Sequence, residues 1–233
     1  KIMGKRTVSI LNKEYKKYIK QIVNQKKNSK KNLGKNFNFV NNPNKLSSIH
    51  RLENKKSSIF FKMAKERIFS DIGSKLLDYK TKIHSIQFFF KNKDENLPTP
   101  LHQDNAYWCI KNGKGISFWI ALNKTNRKNG CMYYYKETHN KNYIHQSSSI
   151  PGSSLVIKKI PKKKKIFFEL NPGDCVVHDS KTVHGSFRNL SNKNRAAFII
   201  CLISKNSTQD KILKKNYEIN LKKRNNKRRK YIN

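Results

Sequence analysis

A chain of 233 residues carrying 52 Lys and Arg against 14 Asp and Glu, a formal net charge of +38, has room for one domain with a full core and not for two ordinary ones. The excess is mostly Lys, is spread through every segment and travels with abundant Asn and Ile, so it reads as compositional bias and not as a nucleic-acid surface, although an anionic small-molecule substrate is still steered inward. No stretch is long and apolar enough to span a bilayer and no charged-then-apolar leader opens the chain, which predicts a soluble cytoplasmic protein without a transmembrane segment.

Residue 1 is Lys, as expected of a processed or truncated piece of a longer protein. From Glu14 to Gln25, Tyr15, Tyr18, Ile19, Ile22 and Val23 fall on one stripe with lysines opposite, which predicts an amphipathic helix. Residues 26 to 48 are rich in Lys, Asn and Ser and read as a long loop or linker. The helical period returns from Ser57 to Tyr79 through Ile59, Phe60, Met63, Ile68, Ile72, Leu76 and Leu77, as two short helices broken near Ser70 or Gly73.

Beyond residue 82 the texture changes to short β-prone runs. Candidate strands are Ile83 to Lys91, Leu101 to Ile110, Gly115 to Asn123, Cys131 to Tyr135, Ser154 to Lys159, Lys165 to Leu170, Asp174 to His178, Thr182 to Arg188 and Arg195 to Ile203. Asn129-Gly130 and Asn171-Pro172-Gly173-Asp174 are turn signals, because Gly accepts positive φ and Pro fixes φ. The pattern fits a mainly β protein with flanking helices, a double-sheet jelly roll of the cupin type. Residues 1–82 form an N-terminal helical and loop region on the core, 83–204 the core itself, and 205–233 a basic tail. Cys109, Cys131, Cys175 and Cys201 sit singly in such runs and read as buried free thiols of a reducing compartment. The lysines of 162–165 and the tail from Lys222 to Lys230 read as solvated charge.

His102 and Asp104, in Leu101-His102-Gln103-Asp104, carry the most chemistry. In a strand, positions two apart share a face, so both side chains can aim into a barrel mouth. Two imidazoles and a carboxylate suit Fe(II) and leave coordination positions open, and His184, opening His184-Gly185-Ser186, is the candidate third ligand, its small neighbour allowing close backbone approach. The pair alone is also compatible with a loop histidine beside a turn-capping Asp. Arg195 starts an apolar strand, placed to hold a carboxylate bidentately or, alternatively, to form a surface ion pair.

Leu101-His102-Gln103-Asp104 with Tyr107-Trp108, Trp119 to Asn123, Asn129 to Met132, Pro172-Gly173-Asp174, and His184-Gly185-Ser186 through Asn189 and Ser191 to Arg195 together resemble the phytanoyl-CoA dioxygenase family, in order and spacing, across roughly residues 83–204. The resemblance implies a double-stranded β-helix and a hydroxylase that uses Fe(II), O2 and 2-oxoglutarate, the last converted to succinate and CO2. It assigns iron to His102, Asp104 and His184, the distal carboxylate of 2-oxoglutarate to Arg195 assisted by Ser186, and the cosubstrate pocket lining to Gln87 and Trp119. Asp104 as a carboxylate argues for hydroxylation, since related halogenating enzymes carry a small residue there. Asn105, Tyr107 and Trp108, beside the ligands, are candidate substrate-pocket residues. The loop Tyr135-Lys136-Glu137-Thr138-His139 departs from the family's Pro-Gly-Ser-His turn. His178 reads as a structural neighbour of the site and not as a ligand; His84, His139 and His145 read as loop or rim residues. Alternatives are a nucleic-acid demethylase, disfavoured by the spacing of Arg188 and Arg195, a jelly-roll binding protein without turnover, and a basic nucleic-acid-associated protein.

Overall fold

A computed structural model describes residues 1–28, 36–39, 46–93, 97–148, 150, 154–160 and 164–229. Helix α1 (Lys5–Asn28) begins nine residues earlier than the periodicity from Glu14 suggests, because Val8 and Leu11 extend the same buried stripe. Two short strands follow, β1 (Phe37–Phe39) and β2 (Leu46–Ile49), then helices α2 (Ile59–Ala64) and α3 (Arg67–Leu77). The strands correct the reading of 26–48 as loop; 29–35 and 40–45 of that segment lie outside the described residues. Ser58 caps α2, its hydroxyl accepting from Phe61 N. The break between α2 and α3 falls at Lys65 and Glu66, not at Ser70 or Gly73.

The remaining elements are β3 (Thr81–Lys91), β4 (Thr99–His102), α4 (Asn105–Trp108), β5 (Gly115–Ala121), β6 (Met132–Tyr135), β7 (His145–Ser147), β8 (Leu155–Ile157), β9 (Lys165–Phe168), β10 (Cys175–Asp179), β11 (His184–Ser186), β12 (Arg195–Ser204) and α5 (Lys211–Arg229). They form a six-stranded sheet ordered β1-β2-β3-β12-β5-β10, a four-stranded sheet ordered β4-β11-β6-β9 and the hairpin β7-β8, all antiparallel. From β3 to β6 and again from β9 to β12 the chain alternates between the two large sheets strand by strand. That winding is the double-stranded β-helix, a jelly roll with helices outside.

The central strands β5 and β12 are covered on both faces, so β12 is buried at all ten positions and reads as a nearly continuous apolar run. Outward, Ile86, Phe88, Phe118, Ile120, Phe198 and Ile200 pack beneath the helices, with Tyr15 of α1 5.5 Å from both Phe88 and Phe90. Inward, alternate residues Trp119, Ala121, Ala197, Ile199 and Cys201 meet Met132 and Tyr134 of the smaller sheet. Two cores thus share one sheet. The tail holds a helix, α5, which packs against α4 and β7; Lys162, Lys163 and Lys230, read as solvated charge, lie outside the described residues. Among the described residues no helix is long and apolar enough to cross a membrane. Cys109, Cys131 and Cys201 are buried, Cys175 is half-buried, and all four are free thiols.

Candidate metal centre

Strand register builds the centre from two facing rows. On the smaller sheet His184 of β11 stands opposite His102 of β4 on one side and Tyr134 of β6 on the other. On the larger sheet Ser117 of β5 pairs with His178 of β10. Asp104 lies between the rows. Its carboxylate does not arrive by strand alternation: β4 ends at His102, and Asp104, with φ −57° and ψ −38°, is already helical at the head of α4. The continuous strand expected from Leu101 to Ile110 is therefore a short strand, a turn and one helical turn, and it is this turn that brings Asp104 back beside His102.

Ligand atoms of His102, Asp104 and His184 all lie within 4.8 Å of one another. Asp104 Oδ1 is 3.7 Å from His102 Nε2 and 3.7 Å from His184 Nε2. Each ring is fixed from behind, His102 Nδ1 donating to Pro100 O at 2.7 Å and His184 Nδ1 to Thr182 O at 2.8 Å. A carbonyl can only accept, so each ring keeps a proton on Nδ1 and turns Nε2, the lone-pair atom of that neutral tautomer, toward the centre. Burial holds the His184 imidazole well below its ordinary pKa, helped by repulsion from His102 and His178 and opposed by Asp104. Burial pushes the Asp104 carboxyl the other way, but its contacts with the His184, His102 and His178 imidazoles outweigh that and hold it well below the usual carboxylate range. Two imidazoles, each backed by a carbonyl, and one carboxylate are a donor set that fits Fe(II).

Around this centre the other expected residues take distinct places. Trp119 is the next inward residue of β5 after Ser117, and the Arg195 guanidinium lies 5.3 Å over its ring. Arg195 is 2 % exposed and donates through Nη2 to Gly130 O at 3.2 Å, so the surface ion pair is excluded. Ser186 is buried, its hydroxyl donating to Thr99 Oγ1. Gln87 lies on the inward face of β3 in register with Ile199, and Ile199 with Trp119. Tyr107 meets His102 edge to face with ring centroids 5.6 Å apart, and the Trp108 and His84 ring centroids lie 5.0 Å apart. Asn105 is buried with its amide donating to Ile110 O and accepting from Ile110 N, which closes the 105–110 loop.

Two groups at the centre escaped residue-by-residue sequence reading, Ser117 on Asp104 and Tyr134, stacked on His184 at 5.5 Å, whereas His178, read as a structural neighbour of the site, lies against Asp104 as expected. A polar Ser at an inward position of an otherwise apolar strand was the available signal for Ser117. The departing loop after Tyr135 is anchored by Thr138, whose hydroxyl donates to Tyr135 O and accepts from Val183 N, next to His184. Gly185 owes its size to packing: an added Cβ would sit 2.8 Å from Thr99 O and 3.0 Å from Tyr133 Oη, so its neighbour is β4 and not the metal.

A phytanoyl-CoA dioxygenase family model matches residues 6–197. A phytanoyl-CoA dioxygenase of Arabidopsis thaliana is 24% identical over 140 residues, covering 58% of this chain and 49% of that protein. Phytanoyl-CoA dioxygenase domain-containing protein 1 of Bos taurus is 27% identical over 125 residues, covering 50% and 43%. The chain therefore spans about half the length of the relatives it matches. Among solved structures, EctD from S. alaskensis with bound Fe superposes with a TM-score of 0.69 at 16% identity, over 88% of this chain and 70% of that one. EvdO2 from Micromonospora carbonacea var. aurantiaca, complexed with 2-oxoglutarate, gives 0.65 at 19% identity, over 89% and 85%. These structures share the double-stranded β-helix described above. With a family match from residue 6 to 197 laid over this fold and this triad, the chain belongs to the phytanoyl-CoA dioxygenase family.

Proposed function

We propose that the protein is an Fe(II)- and 2-oxoglutarate-dependent dioxygenase that hydroxylates, or otherwise oxidises, a small organic substrate. The observation that carries this reading is the convergence of His102 Nε2, His184 Nε2 and Asp104 Oδ1, with both rings locked by carbonyls behind them. When bound there, Fe(II) with 2-oxoglutarate as cosubstrate supplies oxidation of a substrate C–H bond by O2, releasing succinate and CO2.

His102, Asp104 and His184 would hold the metal. Arg195, buried on the inward face of β12, receives the distal carboxylate of 2-oxoglutarate with Ser186 beside it. Gln87 and Trp119 line that pocket, and Trp119 also fixes the guanidinium plane. Tyr107 and Trp108 form the wall on the α4 side, where the substrate enters. Asn105 acts there through the loop shape that its Ile110 bonds impose. Closure of the barrel by apolar residues of both sheets keeps water from the reacting centre. The substrate is small and anionic, drawn by the chain's positive field, and the protein works in the cytoplasm.

The experiment is aerobic 2-oxoglutarate turnover with added Fe(II), read as succinate, in the parent, His184→Ala and Arg195→Lys. Turnover is expected in the parent and none in His184→Ala. Arg195→Lys is expected to raise the apparent KM for 2-oxoglutarate at least about tenfold, because an ammonium cannot reproduce the planar two-point contact. Absence of iron-dependent succinate from the folded parent would overturn the reading.

A further inference from the structure

The larger sheet carries a polar row into an otherwise apolar interior. Register aligns Ser85, Cys201, Ser117 and His178 on adjacent strands β3, β12, β5 and β10. At the end of that row two side chains meet Asp104. The Ser117 hydroxyl donates to Asp104 Oδ2 at 2.6 Å, and His178 Nε2 lies 3.2 Å from the same oxygen. Behind the ring, the Tyr134 hydroxyl is 3.2 Å from His178 Nδ1. A carboxylate only accepts, which puts the ring proton on Nε2 and leaves Nδ1 to accept from Tyr134. The two oxygens of Asp104 are thereby divided: Oδ1 faces His102 and His184 at 3.7 Å each, while Oδ2 holds two donors.

Resting on the iron reading above, we propose that Ser117, His178 and Tyr134 form a positioning cradle that restricts Asp104 to ligation through Oδ1 alone. Carboxylates ligate metals through one oxygen or both. An oxygen that accepts a short charge-assisted bond from Ser117 and a second from His178 has its lone-pair directions taken. In a six-coordinate site two imidazoles and one carboxylate oxygen leave three positions, the number that a two-atom chelate and O2 require together. A second carboxylate oxygen removes one of them. The cradle therefore protects the open half of the site, and its members act through Asp104 without touching substrate.

The test uses the full chain under anaerobic conditions. Fe(II) is titrated to full loading, and the affinity for 2-oxoglutarate is then read from the visible charge-transfer band, in the parent, Ser117→Ala, Ser117→Thr, Tyr134→Phe and His178→Phe. Ser117→Ala and His178→Phe are expected to weaken 2-oxoglutarate binding about 10- to 100-fold, with a smaller loss in Tyr134→Phe and recovery in Ser117→Thr, which keeps the hydroxyl. Ser117→Ala removes a single oxygen and decides the matter if His178→Phe does not fold. A folded Ser117→Ala that fails to load iron supports the cradle if Ser117→Thr restores loading, and overturns it if Ser117→Thr does not. Parental 2-oxoglutarate affinity in fully loaded Ser117→Ala overturns the cradle and leaves the iron reading intact, whereas a parent that binds neither Fe(II) nor 2-oxoglutarate overturns both.

Discussion

Histidines in this chain do different work because their hydrogen-bond partners differ. His145 accepts from Gln103 N through Nε2 and donates from Nδ1 to Tyr143 O, so it braces the residue between His102 and Asp104. His50 accepts through Nε2 from Asn38 and lies 2.8 Å from the Ser48 hydroxyl. Burial, the larger cause in each case, pushes both rings down to about 4 from 6.5. Unfolded rings bind a proton near pH 6.5 while the folded ones do not until about pH 4. Stability is therefore complete above pH 6.5 and lost as pH falls toward 4, by on the order of 3 kcal/mol for each ring at ~1.36 kcal/mol per unit. Urea unfolding of the parent and of His145→Gln at pH 7 and 4.5 checks this: the variant should show the shallower loss, and equal losses would contradict it. At this scale the convergence of His102, Asp104 and His184 was legible from residue chemistry. The i, i+2 geometry used to join His102 to Asp104 was not correct, because a turn supplies what a strand was expected to supply.

Elements were legible where a long stripe or a clean apolar run advertised them. Seven of the nine strand candidates became strands of the two large sheets with shifted ends, a further one became β8, and Leu101 to Ile110 shrank to β4. That stretch misled because Tyr107, Trp108 and Ile110 favour strands, while α4 spans only four residues, too few for a helical period to register. Helix α5 was hidden by its lysines: Leu213, Tyr217 and Leu221 recur at helical spacing but are only half-buried, so the stripe is faint. Strand β11 is three residues long and carries His184, which makes its contact with β4 critical. Gly185→Ala would force β11 from Thr99 O or displace Tyr133. We expect a loss of about 1–3 kcal/mol, as for other overpacked positions, together with weaker Fe(II) binding, since His184 and His102 are registered across that same pair. A thermal melt and an Fe(II) titration check it; a parental melting temperature with parental affinity would contradict it.

For the molecule as a whole, the jelly roll was legible because its strands alternate with turn signals that have a mechanism. What composition could not reveal is that the six-stranded sheet serves two cores at once. Its outer face holds α1, α2 and α3, and its inner face carries Ser117, Trp119 and Arg195 toward the site. The family match ends at residue 197, so α5 lies beyond it, packed on the helix whose first turn carries Tyr107; Tyr217 of α5 stands 6.1 Å from Tyr107. The central claim, that this architecture exists to hold Fe(II) and 2-oxoglutarate together, is tested most directly by anaerobic addition of 2-oxoglutarate to the Fe(II)-loaded chain. A visible charge-transfer band that saturates at one 2-oxoglutarate per chain and is absent from His184→Ala is the expected result; a folded, iron-loaded parent with no band, or a band that persists in His184→Ala, would contradict it.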